Sequence, residues 1–177
     1  YTVQIKLPDA YNALGVVLPD GSYDSARGGM MTAVASLFVP VGTVLFWFLS
    51  PRLSLKAMFV LEFALMTAGF LLMSIMKNPW AFTFAAGLAQ TGAGMLLPTL
   101  LTWAVARLPF AVRGRGTGLW TATFSLGQFV CNNAAIPLIT GFTGGILPTF
   151  GVLGWLCAAA VLIAVVAPIK APVPVEA

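Results

Sequence analysis

Long apolar runs, separated by short connections, dominate this chain. Three of them lie between basic residues, and a fourth, much longer run is interrupted at 140–148 by Thr-Gly-Phe-Thr-Gly-Gly-Ile-Leu-Pro, which is typical of a turn. A helix needs about 20 apolar residues to cross a bilayer. The pattern therefore predicts an all-α membrane protein with five spanning helices, at about 28–49, 57–76, 80–106, 116–139 and 146–168.

The two ends of the chain have a different character from these runs. Segment 1–27 holds three aspartates and two prolines, which predicts the outer end of a preceding helix followed by an extracytoplasmic loop. The five-helix bundle is expected to occupy 28–169, and 170–177 to form a cytoplasmic tail. A start at Tyr1 instead of Met is typical of a piece of a longer protein, so we expect a sixth helix upstream.

Composition supports the bilayer as the solvent of this chain. Of the 177 residues, 59% are hydrophobic and 8% are charged, and the mean hydropathy is +0.96. Soluble domains are about 25% charged, so a water-soluble protein with this composition would expose large apolar patches. The net charge of +4 is small, and the basic residues lie between apolar runs. Topology explains them better than nucleic-acid binding does.

The distribution of basic residues predicts the orientation, because short cytoplasmic loops are enriched in Lys and Arg. One side of the predicted bundle has six of them and the other side has three, which places the C-terminus in the cytoplasm. The cytoplasmic group is Arg52, Lys56, Arg107, Arg113, Arg115 and Lys170, and the outer group is Lys6, Arg27 and Lys77. Arg113 and Arg115 are then an inner-face anchor, with a role in gating as the alternative.

The residues that usually carry catalysis or metal binding are scarce. The chain has no histidine, and its two cysteines, Cys131 and Cys157, lie inside apolar runs. No nucleophile–base pair and no metal-ligand cluster is evident. We therefore expect neither an enzyme nor a bound cofactor or metal.

The fourth predicted helix is nevertheless not uniformly apolar. At about 100° per residue, its polar side chains project within roughly a quarter of the helix circumference, while Thr123 and Asn133 point away. The members of this line are Thr117, Thr121, Ser125, Gln128 and Asn132. Amides facing lipid are unfavourable by several kcal/mol, so the line must face a water-filled solute pathway or hydrogen-bond to other helices.

Two other predicted helices carry weaker polar lines. On the third helix the line consists of Thr83, Gly87, Gln90 and Gly94, and on the first it consists of Thr32, Ser36 and Thr43. The second and fifth predicted helices have none, and the fifth is apolar nearly all round. This division predicts a cavity on one side of the bundle, with the second and fifth helices outside it.

Glu62 is the one acidic residue within a predicted span. A carboxylate inside a membrane is a candidate functional group. Glu62 also lies close along the chain to the predicted inner face, where Arg52, Lys56 or Arg113 could pair with it. We expect a structural or gating ion pair, with a proton-coupling site and a snorkelling carboxylate as the alternatives. Pro40 and Pro98, inside the first and third helices, predict kinks that are structural or serve as hinges.

The segment 87–129, "GLAQTGAGMLLPTLLTWAVARLPFAVRGRGTGLWTATFSLGQF", resembles the major facilitator superfamily. Such transporters often have a glycine-rich helix with a central proline, a cytoplasmic loop of the form Pro-x-x-x-Arg-Gly and a further glycine-containing helix. Here that loop is Pro109-Phe-Ala-Val-Arg113-Gly114, and "FWFLSPRLSLK" is similar to the short basic loop between helices eight and nine. The acidic residue frequent in the Pro-x-x-x-Arg-Gly loop is absent, and Pro51-Arg52 replaces the usual acidic-Arg pair.

The resemblance covers essentially the whole chain, as the end of helix seven followed by helices eight to twelve. It implies most of one six-helix half of a major-facilitator-type bundle, with the N-terminal half of the same polypeptide as its partner. In that family helices seven, eight, ten and eleven line the pathway, which agrees with the division reached from the polar faces.

The function that the resemblance implies is secondary active transport of a small organic solute by alternating access. No charged side chain lies on the polar lines, so we expect a neutral or amphipathic solute. Proton-coupled efflux is the form of transport that the resemblance suggests for it. We also expect the protein in a bacterial inner membrane. A non-transporting membrane subunit or scaffold is the alternative. The pathway would be lined by Gln128, Asn132, Ser125, Thr121, Gln90, Thr32, Ser36 and Thr43, with Glu62, Arg52 and Arg113 at the inner face.

Overall fold

The computed structural model describes residues 2–106 and 108–168. These residues form α-helices joined by short connections, together with one isolated bridge between Val17 and Tyr23. The helices are α1 (Thr2–Ala13), α2 (Ser25–Ser36), α3 (Phe38–Leu49), α4 (Leu55–Ile75), α5 (Pro79–Ala106), α6 (Arg113–Val130), α7 (Ile136–Thr143) and α8 (Ile146–Val166). The all-α fold expected from the sequence is confirmed.

Four helical segments among the described residues are long and apolar enough to cross a membrane. They are Ser25–Leu49, Leu55–Ile75, Pro79–Ala106 and Ile146–Val166. The region of the fourth predicted span is also helical, but α6 does not belong to this group. Its glycines, hydroxyls, amide and two arginines dilute the apolar residues.

Several helix ends follow from local chemistry. Asp24 accepts a hydrogen bond from the N–H of Arg27 at 2.9 Å and so caps α2. The helix consequently begins at Ser25, before the predicted start at residue 28. α7 stops at Gly144, whose φ of 75° lies in the left-handed region that glycine adopts without strain. This glycine lies within the turn predicted at 140–148, which is shorter than predicted because α7 continues to Thr143 and α8 begins at Ile146.

Two prolines accompany interruptions in the helices. Pro40 has no N–H to donate to the carbonyl of Ser36, and the helical run breaks at Leu37 between α2 and α3. A second irregularity, which we call the π segment (Cys131–Ala135), lies between α6 and α7 and is closely followed by Pro137. α5, by contrast, remains one helix through Pro98.

The loop between α1 and α2 is held by its own polar groups. The N–H and hydroxyl of Ser22 both donate to Asp20 Oδ1, at 2.9 and 2.7 Å. These two hydrogen bonds hold the pKa of Asp20 below its ordinary value. The loop is therefore a defined turn, of the polar kind that the sequence of segment 1–27 predicts.

α4 and α5 form the centre of the bundle, with α8 packed on α4 and α3 packed on α5. A Cβ added to Gly69 of α4 would overlap Ala89 of α5, and one added to Gly92 of α5 would overlap Glu62 of α4. Gly69 thus lies near Ala89 and Glu62 near Gly92, so the two helices run antiparallel and very close together.

α3 and α5 also cross at close range. A Cβ on Gly94 would overlap the carbonyl of Val39, and one on Gly42 would overlap the carbonyl of Thr91. Pro98 has no N–H for the Gly94 carbonyl, and the hydroxyl of Thr43 donates to that oxygen instead, at 3.3 Å. The proline and the glycine together create this contact between helices.

Candidate functional site: the polar face of α6 and the cavity beside Gln90

The line of polar residues predicted on the fourth helix lies on α6 and the start of the π segment. We call Thr117, Thr121, Ser125, Gln128 and Asn132 the polar face. Thr117, Gln128 and Asn132 are half-buried, whereas Thr121 and Ser125 are exposed. Asn133, predicted to point elsewhere, is exposed. Part of the polar face therefore borders the rest of the bundle and part of it is open.

The described hydrogen bonds of this face stay within its own helix. The hydroxyl of Thr117 donates to the Arg113 carbonyl at 3.0 Å, and that of Thr121 to the Thr117 carbonyl at 2.9 Å. Asn132 Nδ2 donates to the Gln128 carbonyl at 3.0 Å. Asn132 Oδ1 is buried and has no hydrogen-bond partner. These contacts satisfy the hydroxyls locally and do not link α6 to another helix.

Positions around α6 show what lies beside the polar face. At about 100° per residue, the half-buried Trp120 and Phe124 project to one side of it. Leu119 and Leu126, which are strongly exposed, project to the other side. The polar face is therefore a border strip between the packed side of α6 and an exposed apolar side.

Gln90 is the most deeply buried residue of the predicted pathway set, with 1% of its surface exposed. Its side-chain Nε2 has no hydrogen-bond partner. An amide donor left unpaired in an apolar interior is unfavourable by about 1–3 kcal/mol. A residue in this position needs an explanation beyond packing.

A cavity of about 300 Å³ lies beside Gln90. Its walls come from α1, α4, α5, α8 and the π segment, and they are mostly apolar. They include Gln90, Phe63, Met66, Phe70, Cys131 and Cys157. α4 and α8 correspond to the second and fifth predicted helices, so the prediction that these two helices lie outside the cavity is wrong for this cavity. Cys131 immediately precedes Asn132, so the cavity reaches the π segment next to the end of the polar face, but no residue of the polar face lines it. A mostly apolar pocket with a few polar groups is the usual form of a small-molecule site.

The remaining members of the α5 line serve packing. Gly87 lies against the ring of Phe38, and Gly94 against the Val39 carbonyl. The hydroxyl of Thr83 shares a 2.8 Å hydrogen bond with the Tyr11 hydroxyl. Of the four residues in this line, Gln90 is the one that borders the cavity.

The predicted pathway residues of the first span lie elsewhere. Thr32 donates to the Gly28 carbonyl at 2.9 Å, and Ser36 accepts a 3.4 Å bond from Gln4 of α1. Thr43 donates to the Gly94 carbonyl of α5. These three residues contact α1, α5 or their own helix, and none of them lines the cavity beside Gln90.

The predicted inner-face ion pair is not formed among the described residues. Glu62 is fully buried, which also excludes a snorkelling carboxylate, and it contacts Thr99. The guanidinium of Arg52 donates to the Phe48 carbonyl. Arg113 donates to the Leu108 carbonyl at 3.0 Å and lies over the ring of Phe110. Two other basic residues of the predicted cytoplasmic group, Arg107 and Lys170, lie outside the described residues, as does the predicted tail.

Sequence reasoning missed two features of this region. One is the π segment, whose sequence signal is the Asn132-Asn133 pair ahead of Pro137. The other is a hydroxyl cluster in which Thr140 and Thr143 each lie 3.0 Å from the hydroxyl of Thr149. This cluster ties α7 to α8, and the three threonines could have been recognised as a group only once the turn at Gly144 was placed.

Comparison of the chain with protein-family models, with curated proteins and with solved structures finds no match in any of the three.

Proposed function

We infer that this chain is part of a secondary active transporter of the major facilitator type, which moves a small organic solute across a membrane by alternating access. The observation that carries the proposal is the polar face of α6. Its described hydrogen bonds end on its own helix, and Asn132 Oδ1 is buried without a partner. Polar groups that serve helix packing are expected to bond across to a neighbour.

The cavity beside Gln90 supports a solute of neutral or amphipathic character. Its lining is mostly apolar, and Gln90 Nε2 provides a donor without a protein partner. A solute with an apolar body and a carbonyl or ether oxygen would complement both features. In this proposal Gln90, Gln128 and Asn132 contact the solute, and Thr121 and Ser125 line the path that leads to it.

The architecture fits this role on two points. Four helical segments among the described residues are long and apolar enough to span a bilayer, and α6 adds a less apolar fifth. The connections that carry Arg52 and Arg113 lie at the same end of the antiparallel α4–α5 pair. We propose a bacterial inner-membrane location with this end in the cytoplasm, and an N-terminal half of the same polypeptide as the partner across the pathway.

A non-transporting membrane scaffold is the second candidate. It is favoured by the close crossing of α3 and α5, where Gly94 and Gly42 serve tight packing. Solute flux into proteoliposomes, measured with the complete polypeptide that carries this chain, tests the two proposals. Gradient-driven flux that Gln90→Leu changes supports transport. Well-folded protein without flux of any neutral or amphipathic solute supports the scaffold.

A further inference from the structure

Glu62 occupies an unusual place for a carboxyl group. Glu62 lies on α4, about two helical turns after the start of that helix at Leu55. Its side chain is fully buried between α4 and α5. Oε1 lies 2.5 Å from the hydroxyl oxygen of Thr99, and Oε2 is buried without a hydrogen-bond partner. Thr99 follows Pro98 directly, so this contact sits at the proline of the central helix.

The helices packed against Glu62 offer no described counter-charge. α5 contains no titratable residue between Pro79 and Ala106, and the titratable group of α8 is the thiol of Cys157, which borders the cavity beside Gln90. On α4 itself, Lys56 lies six residues earlier, about 9 Å along the axis. The described ion pair of the chain is Lys6–Asp9, at 3.4 Å.

Two of the basic groups near this end of the bundle have other contacts. The Arg52 and Arg113 guanidinium groups donate to the carbonyls of Phe48 and Leu108. Arg107, which comes directly after α5, lies outside the described residues. The counter-charge expected from the sequence is thus absent around Glu62 in the part of the chain that the structure describes.

The number of hydrogens available around Thr99 indicates where a proton on Glu62 would lie. The Thr99 hydroxyl has one hydrogen, and its oxygen lies near two other oxygens, the Met95 carbonyl at 3.0 Å and Glu62 Oε1. If Glu62 is the neutral acid, its own hydrogen fills the Oε1–Oγ1 contact and the Thr99 hydrogen goes to Met95. Both contacts are then hydrogen bonds, and the chain Glu62–Thr99–Met95 is complete.

The ionised form satisfies this environment poorly. A carboxylate offers about four lone-pair positions, but one hydroxyl donor lies beside it and Oε2 has none. A buried charge without a partner or further hydrogen bonds is strongly unfavourable, and such groups usually become neutral. The uncharged acid leaves a carbonyl oxygen unpaired in its place, which is a much smaller penalty.

We propose that Glu62 is a proton-binding site, at which the neutral carboxylic acid donates its hydrogen to Thr99 Oγ1 and joins α4 to α5. Release of the proton from Oε1 requires a base or water to enter the Oε1–Oγ1 contact and accept it, and therefore requires the α4–α5 contact at Pro98 to open. Protonation of Glu62 is in this way tied to the spacing of the two central helices. The site is separate from the polar face of α6 and does not depend on the proposed transport.

Infrared spectroscopy of the complete protein in lipid tests the proposal directly. A carboxylic acid C=O absorbs apart from a carboxylate, so the spectrum of wild type minus that of Glu62→Gln isolates the signal of this side chain at neutral pH. We expect an acid C=O band that disappears in Glu62→Gln. In Thr99→Val the band should remain but shift, because the acid loses its hydroxyl acceptor. A carboxylate signal in the difference spectrum would overturn the proposal, and would indicate a base supplied from elsewhere.

Thermal stability gives a second, independent measurement. The amide of Glu62→Gln is neutral, has nearly the same shape and can donate to Thr99 as the acid does, so this variant should unfold within a few degrees of wild type. Glu62→Ala should unfold at a clearly lower temperature, because it leaves a gap between α4 and α5. If Glu62→Gln fails to fold, or loses as much stability as Glu62→Ala, the neutral acid is the wrong assignment. Neither measurement uses a solute, so failure here is distinct from failure of the proposed transport.

Discussion

Gln90 of α5 and Cys131 of the π segment line the same cavity. Neither their spacing in the sequence nor the chemistry of their side chains predicts this proximity. The cavity beside the unpaired amide of Gln90 therefore extends to the π segment that follows α6. In the proposed function this cavity is where the solute is held.

Gln90→Leu is expected to leave stability unchanged or slightly raised, and to weaken solute binding. The wild-type amide has a buried donor without a partner, so an apolar side chain of similar size removes an unfavourable group. Thermal unfolding and solute binding should be measured on the same preparation. A large loss of stability would show that the amide has a structural partner.

Thr83→Val is the matched contrast, because Thr83 lies about two turns earlier on the same face of α5 and is also fully buried. The change leaves the buried Tyr11 hydroxyl without its 2.8 Å partner. Stability should fall by about 1–3 kcal/mol, while solute binding is unaffected. If Gln90→Leu and Thr83→Val weaken solute binding equally, then Gln90 has no specific role in binding that Thr83 lacks.

Gln128→Leu is expected to change solute affinity or selectivity while the protein stays folded. Its side chain is half-buried on the polar face, and a lost interhelical hydrogen bond would in any case be worth only about 0.6 kcal/mol in a membrane protein. Asn133→Leu is the control, since Asn133 is exposed and bonds to the Phe129 carbonyl of its own helix. Transport that responds equally to both changes would argue against a directional polar face.

Gly94→Ala is expected to destabilise the bundle by about 1–3 kcal/mol, because the added Cβ overlaps the Val39 carbonyl and the crossing of α3 and α5 must open. Gly127→Ala is the control. A Cβ there meets no atom within 4 Å, and the better helix propensity of alanine should make it neutral or stabilising by up to about 1 kcal/mol. Chemical or thermal unfolding in detergent compares the two variants. If Gly94→Ala matches Gly127→Ala, the crossing is looser than described.

The connections at Arg113 and Lys77 are expected on opposite sides of the membrane. They lie at opposite ends of α5, and Arg113 belongs to the more basic end of the bundle. Single cysteines should be placed at each position in a background without Cys131 and Cys157 and treated with an impermeant thiol reagent. From outside the cell, the reagent should reach position 77 and spare position 113. The opposite pattern would reverse the topology.

The helical plan was predictable from the sequence because its signals are local. Runs of apolar residues, the Gly144-Gly145 turn and the interruption near Pro40 each depend on neighbouring residues. The start of α2 at Ser25 depends on the Asp24 cap, which is also a local signal. The predicted start at residue 28 instead follows the charge of Arg27, because a membrane span is expected to begin after a charged residue. The π segment gave a weaker signal, since an Asn pair ahead of a proline is compatible with an ordinary helix.

Partners across the bundle were not predictable in the same way. Glu62 was expected to meet a base because Arg52 and Lys56 are near it in sequence, yet its contact is Thr99 on the antiparallel neighbour. The polar lines were ambiguous for a related reason. Glycine widens a cavity or allows close packing, and only the position of α3 shows that Gly87 and Gly94 pack while Gln90 borders a cavity.

The most direct test of the central claim is a cysteine scan along α6, from Thr117 to Asn133, in the complete protein embedded in lipid. If the polar face lines a solute pathway, reactivity with a water-soluble thiol reagent should rise in a helical rhythm, highest at Thr121, Ser125, Gln128 and Asn132. Solute should protect Gln128 and Asn132. Reactivity that is uniform along the helix, or highest at Thr123 and Gly127, would contradict a pathway along this face.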